Sequence, residues 1–227
     1  MAQIGLKYMV AAPVSNYEAG KYPEIEAGKA FRVGKAITAD KNVSFSENPL
    51  YADDEEAENA QIFESGTLKI CVDHMTLQSQ AIMFGHTYTA PDDAKKTPEE
   101  LVKSGTDIPP YMAAGYYKTL FKENKRSFEA TILFKVKFKP PNETVKTKEK
   151  SISWGTYESE GAIKCLSGFE DSEPYEKTAR FATEAEAKAY LNTYFKLAED
   201  ESETTKTDPV TDEGTTSGDE GTNQGET

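Results

Sequence analysis

The sequence predicts a mainly β protein with two long β-hairpins and one helix packed on the sheets. Apolar and polar residues alternate over positions 127–139 and 63–74, and each stretch predicts a long strand. A helix-start pattern at Thr183, followed by apolar residues at helical spacing, predicts the helix. Together with their partner strands, the alternating stretches define hairpins over residues 37–74 and 128–157.

Residues 127–139 give the strongest strand signal in the chain. Apolar side chains occupy every second position, and only Leu133 breaks the alternation. A period of two indicates a strand with one buried face and one face that is not buried. We expect this strand to end at Pro140 and Pro141, since proline cannot continue the ladder of hydrogen bonds.

The second strand of this hairpin is predicted at residues 151–157, after a turn at residues 142–148. Its Ile152 and Trp154 are expected to face inward. Six lysines and two acidic residues lie between positions 135 and 150. Solvated lysines that deter edge-to-edge aggregation explain this composition. Nucleic-acid binding would favour arginine with exposed aromatic residues, and the whole chain has only three arginines.

An acidic segment separates the two strands of the first hairpin. Residues 46–61 hold six acidic residues and no basic one, between strand signals at residues 31–47 and 63–74. The segment is too long for a tight turn, and loops of such length inside compact domains are usually functional or disordered. We therefore predict a long acidic loop at the tip of this hairpin.

Three further segments complete the predicted secondary structure. Thr97, followed by Pro98 and two acidic residues, predicts a short helix that ends near Gly105. Residues 111–121 predict an aromatic-rich strand or strand pair, and residues 183–197 predict a helix packed on the sheets. The buried face of that helix is expected to comprise Ala187, Leu191, Tyr194 and Ala198.

The negative charge of the chain is concentrated in its last residues. The formal net charge is −13, and residues 199–227 hold ten acidic residues and one lysine. This leaves a net charge of −4 for residues 1–198, which we assign to one folded domain. Because residues 199–227 contain almost no apolar side chains, we expect a disordered acidic tail.

The sequence shows no catalytic or metal-binding pattern, and we expect neither an enzyme nor a cofactor. Phosphate-loop, dinucleotide, zinc-protease and serine-hydrolase motifs are absent. His74 and His86 have no Ser, Cys or carboxylate partner at motif spacing. Cys71 and Cys165 are expected to be buried reduced thiols, with a disulfide as the alternative. The acidic residues of positions 46–61 lack the spacing and turn glycine of a calcium-binding loop.

The sequence shows neither a secretory signal nor a membrane span. Its first fifteen residues lack a basic region followed by a long apolar run. No stretch approaches the roughly 18 apolar residues of a membrane span. We therefore expect a protein that is made in the cytoplasm, remains soluble and has no membrane partner.

The order of several segments between residues 4 and 197 resembles the major tail protein of bacteriophages with long, flexible, non-contractile tails, of the type found in Gram-positive hosts. No single segment is a catalytic signature, and the resemblance depends on their order. The segments are IGLKYMVAAPVS, NPLYADDEEAE, ESGTLKICVDHM, PPYMAAGYYKTLF and SFEATILFKVKFKPP with SISWGTYESEG.

The resemblance implies the phage tail tube fold, which is an antiparallel β-sandwich with a flanking helix and two long hairpins. Subunits of this family form hexameric rings that stack head to tail into a hollow tube within the virion. Hairpins of neighbouring subunits join into a β-barrel that lines the channel through which double-stranded DNA leaves. The implied partners are other copies of the chain, a tape-measure protein, a tail terminator and baseplate proteins.

Three sets of residues become candidate sites under this resemblance, because the hairpin loop of such proteins reaches the adjacent ring. We expect the acidic loop to meet the lysines of the next ring, since stacked surfaces must be complementary. The ring-stacking loop comprises Glu47, Leu50, Tyr51, Asp53, Asp54, Glu55, Glu56 and Glu58. The basic partner patch comprises Lys146, Lys148 and Lys150. The inter-subunit barrel hairpin comprises Glu129, Thr131, Leu133, Lys135, Ser151, Ser153 and Tyr157.

One feature departs from the family pattern, because the lumen of these tubes tends to be acidic. Lys135, Lys137 and Lys139 lie on the polar face of the long strand. Two explanations remain open. Either the strand's outer end lies outside the channel, or nearby carboxylates compensate the lysines. The candidate carboxylates are Asp73, Glu158 and Glu160.

The alternative function is a non-enzymatic β-sandwich module that binds a carbohydrate or a protein. A sugar-binding surface would need clustered exposed Trp and Tyr side chains. The only tryptophan, Trp154, is predicted to face inward, which argues against this alternative. A hydrolase built on two carboxylates has no positive support in the sequence.

Overall fold

The computed structural model describes residues 2–15, 18–25, 27–52, 55–141, 155–170 and 172–197, and between residues 48 and 60 it describes the backbone alone. The predicted turn at residues 142–148 and the predicted acidic tail from residue 199 lie outside the described residues. Within them the chain is mainly antiparallel β structure with two helices, which confirms the predicted class.

The elements follow one another along the chain as eleven strands and two helices among the described residues. They are β1 (Ala2–Ser15), β2 (Glu24–Ile25), β3 (Phe31–Gly34), β4 (Ala36–Ala52), β5 (Glu55–Val72), α1 (Leu77–Phe84), β6 (Thr87–Thr89), β7 (Glu100–Val102), β8 (Met112–Lys122), β9 (Lys125–Phe138), β10 (Tyr157–Ile163), β11 (Glu176–Phe181) and α2 (Glu184–Phe195).

Nine of these strands form one continuous sheet, in which β6 and β7 take no part. Hydrogen-bonded neighbours run in the order β2, β1, β8, β9, β10, β5, β4, while β3 pairs with β1 and β11 pairs with β9. Only Lys35 separates β3, which pairs with β1, from β4, which pairs with β5. The chain therefore passes directly from the strand beside β1 to the strand beside β5, and through this passage the sheet closes on itself.

Gly34 makes this connection possible. Its φ of +152° lies where other residues are strained, and a Cβ atom there would lie 2.2 Å from the carbonyl oxygen of His74. The Asp73 carboxylate accepts hydrogen bonds from the backbone N–H groups of Lys35 and His74, each at 2.7 Å. These contacts fix the passage from β3 to β4 against the end of β5.

Two hydrophobic cores lie on opposite faces of the sheet. The inner core lies within the closed sheet, where Leu68, Ile70 and Val72 of β5 meet Met83 and Phe84 of α1. The outer core lies between α2 and the other face of β1, β8 and β9. Its α2 side chains are Ala187, Leu191 and Phe195. The helix thus covers the sheet, as predicted.

Strand β9 is buried on both faces in its centre, so the expectation of one exposed face is wrong there. Leu133 is fully buried in the inner core, whereas Ile132 and Phe134 are buried in the outer core. A bulge follows, because the four residues from Leu133 to Val136 oppose only the three residues from Met112 to Ala114 of β8. The bulge reverses the faces, so Leu133 and Val136 enter the same core.

The second predicted hairpin differs from the observed pairing. The returning strand β10 begins at Tyr157 and pairs with β9 only opposite residues 136–138. Residues 128–133 of β9 pair with β11 instead. Residues 151–154, including Ile152 and Trp154, lie outside the described residues. A sequence pattern marks which residues form strands, whereas strand pairing depends on distant parts of the chain, and β11 was not predicted.

The first predicted hairpin is present and longer than expected. Its strands β4 and β5 pair from Ala36 opposite Val72 to Ala52 opposite Glu55. The backbone of most of the predicted acidic loop is therefore strand, and the loop prediction is wrong there. Acidic residues are poor strand formers, but the ladder begun by the preceding residues continues through them.

The helix predictions had mixed outcomes. At α2, Thr183 accepts a hydrogen bond from the N–H of Glu186, whose side chain accepts one from the N–H of Thr183, so the capping box is confirmed. The helix predicted from Thr97 is wrong, because Glu100–Val102 pairs with Thr87–Thr89 as β7 with β6. Helix α1 was not predicted, although Thr76 caps its start and Gly85 its end.

Candidate assembly surface

The far part of the β4–β5 hairpin projects from the sheet as a two-stranded ribbon. Pairing between β5 and β10 ends at Gly66, opposite Ile163. Beyond this point β4 and β5 pair only with each other, from Phe45 opposite Phe63 to Ala52 opposite Glu55. At about 3.4 Å per residue, the eight β4 residues of this ribbon extend roughly 27 Å.

Both edges of the ribbon present backbone groups without a partner strand among the described residues. Strand β4 is the last strand of the sheet order, and the part of β5 before Gly66 does not pair with β10. Such edges are templates for pairing with another chain. A two-stranded hairpin alone is only marginally stable in water, so a ribbon of this length favours a partner that covers it.

A groove of about 420 Å³ lies at the base of the ribbon. Its walls come from the ribbon and from the segment between β10 and β11, and both contribute aromatic side chains. Phe63 contacts Phe45 and Tyr175, with ring centroids 6.1 Å and 5.2 Å apart. A salt bridge between Lys41 of β4 and Glu176 of β11 holds the two walls together. The lining residues are Phe45, Gln61, Ile62, Phe63, Phe169, Glu170, Ser172, Glu173 and Tyr175.

Those predicted ring-stacking residues that the structure describes lie on the ribbon. Glu47 is exposed near the base, where its carboxylate accepts a hydrogen bond from Gln61 at 3.3 Å. The backbones of Leu50 and Tyr51 are in β4, and those of Glu55, Glu56 and Glu58 are in β5. Asp53 and Asp54 lie outside the described residues, as do Lys146, Lys148 and Lys150. The predicted acid–base pairing between rings therefore stays a prediction.

The predicted barrel-hairpin residues lie in different places. Glu129, Thr131 and Leu133 pair with β8 on one side and β11 on the other, so they belong to the protomer's own sheet rather than to a free edge. Tyr157 pairs with Val72 of β5. Ser151 and Ser153 lie outside the described residues.

Glu129 is the centre of a charge network on the sheet. Its carboxylate lies 2.7 Å from the Lys118 ammonium and 2.7 Å from the Arg180 guanidinium. Burial alone would raise the pKa of Glu129, but the hydrogen bonds from Arg180 and Lys118 outweigh it and lower this pKa below its ordinary value. The ionised form is therefore favoured, and the two ion pairs of Glu129 link β9 to β8 and to β11.

The three lysines on the polar side of the long strand have partners. The Lys135 ammonium lies 4.6 Å from the centroid of the Tyr111 ring, and the Lys137 ammonium 5.6 Å from it. The Lys139 ammonium lies 3.8 Å from the Glu160 carboxylate. Glu160 thus offsets Lys139 as anticipated, whereas Glu158 pairs with Lys69 at 2.9 Å. Asp73 instead binds backbone N–H groups at the β3–β4 connection.

The structure brings His86 a carboxylate partner that motif spacing did not reveal. Its Nδ1 lies 2.6 Å from the Asp107 carboxylate, which also accepts the Ser104 N–H at 2.7 Å. The hydrogen bond from the Ser104 N–H contributes most to lowering the pKa of Asp107, and the hydrogen bond with His86 lowers it further. Nε2 of His86 is buried without a hydrogen-bond partner among the described residues, so this ring atom is closed to a substrate.

Other chemistry is sparse in the described part of the chain. Cys71 and Cys165 are free thiols, as predicted. Cys71 is buried, whereas Cys165 is half-buried, and burial raises the pKa of its thiol. No cluster of three or more His, Cys, Asp or Glu side chains suits a metal ion among the described residues. Within the same residues neither helix is long and apolar enough to cross a membrane.

Comparison with known protein families finds no family that matches this chain. A search of curated proteins finds no significant match either.

No sequence pattern indicates the groove. Phe45 and Ile62 are 47% and 57% exposed, although both are large apolar residues. A sequence pattern does not tell where a strand leaves its sheet, so it cannot show that these two side chains are exposed. Phe169 and Tyr175 lie in a stretch without periodic pattern, and only the fold places them beside the ribbon.

Proposed function

We propose that this chain is a structural subunit that assembles with copies of itself into a tube, as the tail tube protein of a long-tailed phage. The projecting β4–β5 ribbon carries the proposal. Among the described residues its edges have no partner strand and its Phe45 and Ile62 side chains are exposed, so a partner that covers them is favoured. The order of sequence segments resembles that of major tail proteins, and this resemblance is the reason for proposing a tube rather than another kind of assembly. The tail tube fold, a β-sandwich with hairpins that join between subunits, belongs to this proposal.

In this proposal the chain forms hexameric rings that stack head to tail in the virion tail. The tube conducts double-stranded DNA from the capsid, and its ends and interior meet a tail terminator, baseplate proteins and a tape-measure protein. No catalytic step is required. The Nε2 atom of His86 is buried, and the Glu129 carboxylate is paired with Lys118 and Arg180. Both observations are consistent with polar groups that stabilise the fold rather than act on a substrate.

Shortening the ribbon tests this function. The variant replaces residues 48–60 by Asn-Gly, which favours a two-residue hairpin turn next to the pair of Glu47 and Gln61. We expect the wild-type chain to form rings or tubes in electron micrographs of concentrated protein, and the variant to stay monomeric with unchanged thermal unfolding. Tubes from the shortened variant, or a monomeric wild-type chain at high concentration, would contradict the proposal.

The alternative, a non-enzymatic binding module, has one observation in its favour. The groove at the ribbon base has a volume typical of small-ligand sites, roughly 300–1,000 Å³, and it has aromatic walls. Calorimetric titration with a panel of soluble oligosaccharides distinguishes the two functions. Saturable binding by a monomeric protein that is abolished by Phe45→Ala would favour the binding module.

A further inference from the structure

The groove at the ribbon base is lined by both apolar and acidic side chains. Glu170 and Glu173 line it, and both are exposed. The exposed Glu47 lies next to it through its hydrogen bond with Gln61. No Lys or Arg is among the described residues that line the groove. A partner with a protruding apolar side chain flanked by positive charge would match this surface.

The tip of the β8–β9 hairpin has those properties. The turn is formed by Glu123 and Asn124, whose φ values of +50° and +60° fit a tight two-residue hairpin turn. Phe121, just before the turn, is 37% exposed, and the neighbouring Ile4 of β1 is 52% exposed. Four charged residues surround the turn, and their net charge is positive. They are Lys122, Glu123, Lys125 and Arg126, all of them exposed.

We propose that the β8–β9 tip of one copy docks into the ribbon-base groove of a second copy of this chain. Phe121 then covers the exposed Phe45 and Ile62, while Lys125 and Arg126 face Glu170 and Glu173. The inference rests on the proposed function, since it names the surfaces that join two copies. Tip and groove are different surfaces of one molecule, so the contact is head to tail and repeats from copy to copy.

The contact accounts for two features of the protomer, which are the exposed apolar side chains of the groove and the tip and the opposite charges beside them. A large apolar side chain in a groove hides the apolar area that both surfaces expose to water. The charges of the groove and of the tip fix which surface enters the groove, because like charges in the wrong pairing repel. A second acidic groove, or the acidic ribbon of another copy, would therefore be rejected from this position.

Photo-crosslinking tests the position of the contact. Benzoylphenylalanine replaces Ile62 in the groove and, as a matched control, the equally exposed Val102 of β7. Mixing isotopically labelled with unlabelled copies separates crosslinks between copies from those within one copy. We expect the Ile62 probe to capture the peptide around Phe121 of another copy, with little product from the Val102 probe. Capture of any other peptide, or equal yields from both probes, would overturn the proposal.

Charge reversal tests the pairing. The groove variant carries Glu170→Lys and Glu173→Lys, and the tip variant carries Lys125→Glu and Arg126→Glu. Each variant alone should need at least about tenfold more protein to associate, as measured by light scattering and sedimentation. An equimolar mixture should associate as readily as the wild type, because each opposed pair is then restored. Reversal of the exposed Lys29 and Lys103 to Glu should change nothing.

The results separate this inference from the proposed function. Wild-type tubes whose growth is indifferent to the groove and tip variants would overturn the docking contact and leave the tube subunit intact. Small oligomers that follow the charge pairing but never become rings or tubes would keep the contact and overturn the tube. A wild-type chain that remains monomeric at high concentration would overturn both.

Discussion

At the scale of single residues, Glu129 shows how the fold changes the meaning of a sequence position. The alternation of β9 places it on the polar face, where an exposed surface carboxylate is expected. Strands β8 and β11 bring Lys118 and Arg180 to it, and its side chain is only 13% exposed. Two cations then share one largely buried carboxylate, so its ionisation contributes to folding stability.

We expect Glu129→Gln to lower the free energy of unfolding by about 1–3 kcal/mol at neutral pH, since it leaves two cations without their anion. Because the pKa of Glu129 is lowered by folding, its contribution is present above the ordinary value of 4.5 and is lost as the pH falls through the folded-state value. Urea unfolding of both proteins across this range measures the effect. An equal difference at neutral and strongly acidic pH would contradict it.

At the scale of elements, the two Thr-initiated helix signals had opposite outcomes for a physical reason. At Thr183 the capping box is followed by Ala187 and Leu191, which bury a face in the outer core. After Thr97 no comparable apolar face follows, and residues 100–102 gain partners by pairing with β6. Most helix stability in proteins comes from packing of an apolar face rather than from end signals.

Removing the cap of α2 should therefore cost a measurable but limited amount. We expect Thr183→Ala to lower the free energy of unfolding by about 1 kcal/mol, the typical value of an N-cap side chain. Thr193→Ala is the matched control in the same helix. The Thr193 hydroxyl bonds the Ala189 carbonyl within the helix, and alanine is the better helix former there, so we expect little or no loss. Equal losses for both variants in chemical unfolding would refute the capping role.

At the scale of the whole molecule, one short connection closes the sheet. The passage from β3 to β4 through Gly34 and Lys35 links the strand beside β1 to the strand beside β5. It brings β4 beside β5, and the β4–β5 ribbon is the continuation of these two paired strands. The position of the candidate assembly surface therefore depends on this connection.

We expect Gly34→Ala to destabilise the protein by roughly 2–4 kcal/mol, because the added Cβ meets the His74 carbonyl and the backbone angle becomes strained. Gly5→Ala in β1 is the control, since a Cβ there meets nothing within 4 Å. Thermal unfolding should separate the two variants clearly. If Gly34→Ala and Gly5→Ala unfold at the same temperature, the backbone at Gly34 has room for a Cβ atom and the steric argument is wrong.

The sequence by itself determined the features that depend on local periodicity: the β class, the long strand that becomes β9, the face of β5 that carries Leu68, Ile70 and Val72, and the capped helix α2. Neighbouring residues suffice for these, because side-chain spacing and end signals act over a few positions. Only the tertiary structure decided that Leu133 is core, that β11 rather than the returning strand pairs with residues 128–133 of β9, and that the acidic stretch continues β4 and β5. It also placed Phe45 and Ile62 beside Phe169 and Tyr175 in an open groove. Pairing partners and burial are set by residues far apart in the chain, and a local pattern carries no information about which of them meet.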